Sequence, residues 1–248
     1  MFMKQGRRTA FILAAGLGTR LKELTSNTPK ALVSINNKPL LTVILESLIK
    51  QDFNHIVVNI HHFGEQIMEF LSDRNDESVK IEISDERPLL MDTGGAILQA
   101  LPHFAQSEAV LVHNVDVLTN VDLKGFYDAF RKSDHAAWLL TQERNSQRKL
   151  VFDNQDNFLG RYNTETLVFD GANELPTDCK LLSFSGIHLF RPQYFKDFEV
   201  KPCYVFGLYQ KIAENQKVAS KLIRPDYWFD LGTQEQLKNA ELWLSSRR

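Results

Sequence analysis

The amino-acid sequence predicts an α/β fold in which a mostly parallel sheet lies between two layers of helices. Apolar, β-branched runs alternate with helical patterns through residue 132, and each run is followed by a polar or glycine-bearing turn. This alternation is typical of parallel strands that are joined by crossover helices. With 43% apolar and 24% charged residues, the 248-residue chain is long enough to bury a large core.

The predicted elements follow from these patterns in chain order. The apolar runs predict strands at residues 9–14, 55–60, 79–84 and 109–113. Apolar residues recur at helical spacing over residues 39–51, 64–71, 93–101 and 121–131. In a sheet of this kind, ligands bind beyond the carboxyl ends of the strands.

After residue 135 the pattern changes to shorter strands, which we predict at residues 136–141, 149–153, 157–162 and 180–190. The remaining predicted elements are a helix at about residues 204–215, a strand at residues 218–223 and a helix from Gln234. Thr233 and Gln236 form a capping box that fixes where this last helix begins. We therefore expect one domain over residues 1–248, with a small antiparallel insertion at about residues 135–190.

Charge and cysteine content exclude several classes of partner. The chain has 29 basic and 31 acidic residues, a net charge of −2, and no long run of one sign, so we expect no nucleic-acid partner. Cys179 and Cys203 lack the spacing of a zinc site or a disulfide framework, which favours reduced thiols in the cytoplasm.

The N-terminus superficially resembles a secretory signal, because Lys4, Arg7 and Arg8 precede an apolar run at residues 10–17. That run ends in Gly-Thr-Arg instead of a small-residue cleavage site, so we favour a buried first strand. No other segment approaches the ~20 apolar residues of a membrane span, and we predict a cytoplasmic protein without one.

A Gly-Leu-Gly turn at residues 16–18 follows the first predicted strand, where its backbone amides can contact an anion. A dinucleotide fingerprint would need a third glycine or alanine where Leu21 stands, and an acidic residue after the second strand. A P-loop would need a Gly-Lys-Ser/Thr sequence that the chain lacks. Two interpretations remain: a phosphate-binding loop followed by the cations Arg20 and Lys30, or a tight turn with solvated charges.

Two aspartates lie at element boundaries. Asp116 emerges at the carboxyl end of the strand predicted at residues 109–113, and Asp230 precedes the capped last helix. Two such carboxylates could converge on one Mg²⁺, which proteins hold with one or two carboxylates and which neutralises phosphate charge. Each aspartate could also serve only a turn or a helix cap.

The segment "LAAGLGTRL" at residues 13–21, followed by "TPKAL" at 28–32, resembles the signature of the sugar-1-phosphate nucleotidyltransferases. The segments "DTGGAI", "NVD", "FSGIHLF" and "WFDLGT" resemble later blocks of that family in the same order. The resemblance implies a Rossmann-like three-layer sandwich of the nucleotide-diphospho-sugar transferase type, with a mixed, mostly parallel sheet. It also implies an Mg²⁺-dependent enzyme that joins an NTP to a sugar 1-phosphate, releases pyrophosphate and serves nucleotide-sugar biosynthesis for cell-envelope polysaccharide.

The resemblance is greatest to short bacterial enzymes, and a mannose-1-phosphate guanylyltransferase is the first expectation. An N-acetylmuramate-1-phosphate uridylyltransferase and a heptose-1-phosphate guanylyltransferase are alternatives. A regulatory subunit that binds nucleotide-sugars without turnover is an alternative of another class. The base, the sugar and any assembly into a homo-oligomer stay undecided.

The resemblance also implies a role for each matching residue. Catalytic roles fall to Arg20, Lys30 and Asp116, and Mg²⁺ ligation to Asp116 and Asp230. Nucleotide contacts are expected from Ala14, Ala15, Gly16, Gly18, Thr19, Thr93, Gly94, Gly95 and Asn114. Sugar-phosphate contacts are expected from Arg161, Asn163, Ser185 and Gly186.

Three details complete these expectations. Thr93 is predicted to be the N-cap of its helix. Val115 stands where the family usually has Gly or Ser. The lysine that many relatives use for the acceptor phosphate has no match, and Lys149, Arg148 or Arg161 could replace it.

Overall fold

The computed structural model describes residues 7–74, 78–171 and 174–247, so Lys4 lies outside the described residues. The strands are β1 (Thr9–Leu13), β2 (Ser34–Ile35), β3 (Lys38–Pro39), β4 (His55–Ile60), β5 (Lys80–Asp85), β6 (Val110–Asn114), β7 (Val117–Thr119), β8 (Ala137–Gln142), β9 (Arg148–Phe152), β10 (Phe158–Asn163), β11 (Val168–Gly171), β12 (Lys180–Phe190), β13 (Val218–Leu222) and β14 (Trp228–Asp230). The α-helices are α1 (Leu40–Lys50), α2 (Gly64–Ser72), α3 (Asp92–Ala100), α4 (Leu123–Arg131), α5 (Val205–Ala213) and α6 (Gln234–Ser245). Short 3₁₀ helices cover Thr19–Thr25, Lys30–Leu32, Leu101–Phe104 and Pro192–Phe195.

The chain divides into two compact units. The first contains the described residues through Leu90, His113–Lys124 and those from Pro225 onward; the second contains Met91–Val112 and Gly125–Arg224. The expectation of one domain with an insertion at residues 135–190 stays a prediction.

The first unit is built on parallel strands. β1 pairs with β4 and β4 with β5, both in parallel. The central residues of β1 and β4 have no exposed surface, as expected for parallel strands with both faces covered. The carboxyl ends of these strands therefore share one edge. β14 pairs antiparallel with β7 in the same unit.

The second unit is mostly antiparallel, as the sequence predicts for this region. β12 pairs antiparallel with β8 and β9, β10 pairs with β9 and β11, and β13 runs parallel to β8. The register of β12 against β8 shifts between Phe184 and His188, and Gly186 lies in that irregularity with φ of 81°. Glycine is suited to such a bulge because positive φ is strained for other residues.

Helix starts test the capping predictions. The Thr233 hydroxyl accepts a hydrogen bond from the N–H of Gln236 (3.2 Å), so the predicted cap of α6 is confirmed. The predicted N-cap at Thr93 is wrong because α3 begins at Asp92, which adopts φ of 55°. Thr93 lies in the first turn, and its hydroxyl accepts from the N–H of Val205 (3.2 Å).

Within the described residues, none of the helices combines the length and the apolar character needed to span a membrane.

Candidate active site

The glycine loop, residues 14–18, begins where β1 ends. Its first two amides, of Ala14 and Ala15, donate to Asn59 Oδ1 at 2.6 and 3.1 Å. The N–H groups of Gly16, Leu17 and Gly18 have no hydrogen-bond acceptor among the described residues. A Cβ on Gly16 would meet no atom of the described residues within 4 Å. Three consecutive amides therefore face space that an anion can fill.

Gly18 brings this loop against the stem of Lys30. It adopts a left-handed conformation (φ 65°), and a Cβ there would stand 2.9 Å from Thr25 Cγ2 and 3.1 Å from Lys30 Cβ. The Thr25 hydroxyl donates to the carbonyl of Gly18 at 3.0 Å. Glycine is needed both for the backbone angle and for the close approach.

Lys30 and Asp116 form the ion pair of the first unit's site. Lys30 is 8% exposed, and its Nζ donates to Asp116 Oδ2. Lys30 begins a 3₁₀ helix after Pro29, and Asp116 lies between β6 and β7. The carboxylate offsets the cost of burying the ammonium.

Asp230 and Arg20 lie close to this pair in the same unit. In the β14–β7 pairing Asp230 is opposite Val117, and the N–H of Leu231 donates to the carbonyl of Asp116 at 2.8 Å. A Cβ on Gly232 would collide with the Arg20 guanidinium and would stand 2.8 Å from Asp230 Oδ1. The small size of Gly232 therefore leaves room for a guanidinium beside a carboxylate.

The carboxylates of Asp116 and Asp230 suit Mg²⁺. The described residues hold no cluster of three or more His, Cys, Asp or Glu side chains arranged for a metal. Mg²⁺ is commonly held by one or two carboxylates together with substrate phosphates and water. The two-aspartate arrangement agrees with that pattern and not with an all-protein metal cage.

His113 and Val115, which lie close to Asp116 in the sequence, add no charge at pH 7. The His113 side chain donates from Nδ1 to the carbonyl of Asn114 (2.8 Å), and burial lowers the pKa of His113 to about 4, so the ring is neutral at pH 7. Val115 is 4% exposed, so the side chain that departs from the family pattern packs into the core.

Thr19 is exposed at the start of its 3₁₀ helix.

The start of α3, in the second unit, uses its glycines differently. The N–H groups of Gly94 and Gly95 both donate to the carbonyl of Cys203, at 2.8 and 3.2 Å. A Cβ on Gly94 would stand 2.9 Å from that carbonyl oxygen, and one on Gly95 would stand 2.5 Å from the carbonyl oxygen of Lys201. These glycines admit a neighbouring backbone segment, and the nucleotide contacts expected from Thr93, Gly94 and Gly95 stay a prediction.

The residues expected at the sugar phosphate lie in the second unit with partners of their own. Arg161 pairs with Asp170, its Nε at 3.1 Å. The Asn163 side-chain oxygen accepts from the N–H of Glu165 (2.9 Å), which closes a turn. Ser185 is fully buried beside the bulge at Gly186. Their contacts with a sugar phosphate stay predictions.

Lys149 is a cation without a carboxylate partner among the described residues. Its Nζ donates to the carbonyl of Arg144 at 2.6 Å and to the hydroxyl of Ser183 at 2.9 Å. Burial, and then the positive charge of Arg144, lower the pKa of Lys149. An anion at this position would stabilise the charged ammonium.

Sequence analysis did not identify Asn59 and Glu86. Both are buried, and Asn59 Nδ2 donates to Glu86 Oε1 at 2.7 Å. A signal was present, because Asn59 is a single amide near the end of an otherwise apolar stretch, residues 56–60. Its importance depends on which backbone groups lie beside it, which the sequence does not give.

Comparison with known proteins identifies the family. Residues 9–150 match the nucleotidyl transferase family model. The chain belongs to this family. An N-acetylmuramate alpha-1-phosphate uridylyltransferase from Caulobacter vibrioides is 30% identical over 98% of this chain and 99% of its own length. A D-glycero-alpha-D-manno-heptose 1-phosphate guanylyltransferase from Campylobacter jejuni is 29% identical over 91% of this chain and 95% of its own.

Solved structures agree on the fold. The crystal structure of HddC from Yersinia pseudotuberculosis complexed with GMP-PN aligns with a TM-score of 0.74 at 21% identity, covering 96% of this chain and 99% of that one. The mixed, mostly parallel sheet and the sugar-1-phosphate nucleotidyltransferase family predicted from the sequence are both confirmed.

Proposed function

We propose that this enzyme transfers a nucleotidyl group from an NTP to a sugar 1-phosphate through the first unit's glycine loop, Lys30, Arg20, Asp116 and Asp230. The observation that carries this proposal is a loop packed against Lys30, itself paired with Asp116, in which three consecutive amides have no acceptor among the described residues. Amides and cations together bind polyphosphate more strongly than either alone.

The chemistry needs positioning and charge stabilisation. An oxygen of the acceptor phosphate attacks the α-phosphorus of the NTP in line, and the bond to pyrophosphate breaks. The loop amides, Arg20 and Lys30 stabilise the negative charge that moves onto the leaving pyrophosphate. Asp116 and Asp230 would hold Mg²⁺, which neutralises charge on the phosphates when bound.

For the acceptor phosphate, Lys149 is a better candidate than Arg161. Arg161 is already neutralised by Asp170, whereas Lys149 has no carboxylate partner in the described chain. Replacing Lys149 by Met should raise KM for the sugar phosphate about tenfold and leave KM for the NTP unchanged, since one charge-assisted contact is lost. Lys180→Met, which removes an exposed lysine paired with Asp156, is the control. Equal effects on both KM values would contradict the assignment.

We rank the substrate pairs to be tested by the activities that the relatives' names give. UTP with N-acetylmuramate 1-phosphate comes first, GTP with a heptose 1-phosphate second, and GTP with mannose 1-phosphate, the first expectation from the sequence, third. Pyrophosphate release should be fastest for one pair and should stop when EDTA removes Mg²⁺. Binding of a nucleotide-sugar without turnover in any pair would favour the regulatory alternative. A cytoplasmic location and any homo-oligomer stay predictions.

Asp116→Asn tests the centre of the proposal. It removes a carboxylate that faces Lys30 and that would hold Mg²⁺, so kcat should fall about 100- to 1,000-fold. Asp122→Asn, a change at an exposed aspartate that sequence analysis does not place in the site, should keep full activity. Wild-type pyrophosphate release by Asp116→Asn would contradict the assigned role.

A further inference from the structure

The buried side chain of Asn59 contacts the glycine loop, and the buried side chain of Glu86 contacts Asn59. The pairing of β1 with β4 ends at Ile12 and Val58, while β4 continues to Ile60. Asn59, which is 3% exposed, follows the last pair, and its Oδ1 accepts both the Ala14 and the Ala15 amide. A side-chain oxygen thus replaces the sheet partner that these two amides would otherwise lack.

Glu86 fixes the orientation of that amide. Only the oxygen of an asparagine side chain can accept from backbone N–H groups, and its nitrogen must then donate elsewhere. Asn59 Nδ2 donates to Glu86 Oε1 at 2.7 Å. Glu86 is 1% exposed and is itself held in place, because its N–H donates to the carbonyl of Ile60 at 2.8 Å. A flipped Asn59 would face two N–H groups with its own NH₂ and would lose both contacts.

We propose that Asn59, oriented by Glu86, is a positioning residue for the nucleoside triphosphate. By holding the amides of Ala14 and Ala15, it sets the direction of the next three amides, at residues 16–18, which have no acceptor among the described residues. Donors that are fixed before the ligand arrives bind it with a smaller loss of entropy. The inference rests on the proposed function in one respect, that the ligand of the loop is a triphosphate.

A charge-conserving exchange tests the pair. Asn59→Asp alone places two buried carboxylates together, so KM for the NTP and Kd for inorganic triphosphate should rise at least about tenfold. Adding Glu86→Gln restores the hydrogen bonds. The carboxylate at position 59 then accepts from the backbone amides of Ala14 and Ala15, and the side-chain amide at position 86 donates to that carboxylate. The double variant should return both constants to within about threefold of wild type.

A second variant covers the case in which Asn59→Asp does not fold. Glu86→Leu keeps Asn59 and removes the group that orients it, and the Kd for inorganic triphosphate, measured by calorimetry, should again rise about tenfold. KM for the sugar phosphate should stay unchanged in every variant. Wild-type triphosphate affinity in Glu86→Leu, no recovery in the double variant, or an equal rise in both KM values would overturn the inference. Absence of turnover with every substrate pair would count against the proposed function alone, because triphosphate binding is measured separately.

Discussion

Two glycine-containing turns of this molecule resemble each other in sequence and differ in what their amides do. In the glycine loop of the first unit, the N–H groups of residues 16–18 have no acceptor among the described residues. At the start of α3 in the second unit, Gly94 and Gly95 both donate to the carbonyl of Cys203. Glycine permits close approach in both places, and the structure decides whether the approaching group is the protein's own backbone.

The difference shows what a glycine motif can and cannot predict. At Gly16 a Cβ would meet nothing within 4 Å in the described part of the chain, but at Gly95 it would meet the carbonyl oxygen of Lys201 at 2.5 Å. The space beside Gly16 can be occupied by a ligand or by solvent, whereas the space beside Gly95 is occupied by another segment of the chain. Substitution by alanine should therefore affect different properties at the two sites.

Among the substitutions in these two turns, Gly16→Ala should have the largest effect and should act on ligand binding. The added methyl enters the space that faces the amides, so kcat/KM for the NTP should fall about 100-fold, which corresponds to about 2.7 kcal/mol. The melting temperature should stay within about 2 °C of wild type, because the methyl touches none of the residues that the structure describes.

A matched control exists for Gly16→Ala. A Cβ on Gly207 in α5 would likewise meet no described atom within 4 Å. Gly207→Ala should keep activity and gain about 0.5–1 kcal/mol of stability from helix propensity. Full activity of Gly16→Ala with the preferred substrate pair would show that the phosphates do not approach this part of the loop.

Gly95→Ala should act on stability, with a smaller total effect. Its methyl meets a carbonyl oxygen of the backbone, so the segment around Lys201 must shift, at a cost of about 2 kcal/mol. Thermal unfolding should show a decrease of about 4–8 °C, and the KM values of the folded fraction should stay the same. A selective rise in KM for the NTP would instead indicate that α3 approaches the nucleotide and would weaken the contrast with the loop.

The sequence predicts the strands and helices that dominate each unit, because buried parallel strands and amphipathic helices leave strong periodic signals. β2, β3, β7, β11 and β14 are too short to leave such a signal. In the site, Lys30, Asp116 and Gly18 could be selected because charge and glycine are visible in the sequence. Asn59 and Glu86 could not, since what distinguishes them is a contact with loop amides about 45 residues earlier in the chain. The N-cap prediction at Thr93 is wrong because its hydroxyl accepts from the start of α5, more than 100 residues away.

Thr93→Val should give the smallest loss of stability of these variants, and it tests the role of the Thr93 hydroxyl at the start of α3. Valine keeps the shape of threonine but cannot accept the hydrogen bond from the N–H of Val205. The loss should cost about 1 kcal/mol, or about 2–4 °C in melting temperature for a chain of this size. Thr93→Ser retains the acceptor and should lose less. If the hydroxyl serves only the helix, KM for the NTP stays constant in both variants. A KM that rises in Thr93→Val and recovers in Thr93→Ser would instead assign this hydroxyl to the nucleotide, and the start of α3 would then share the ligand-binding character of the loop at residues 16–18.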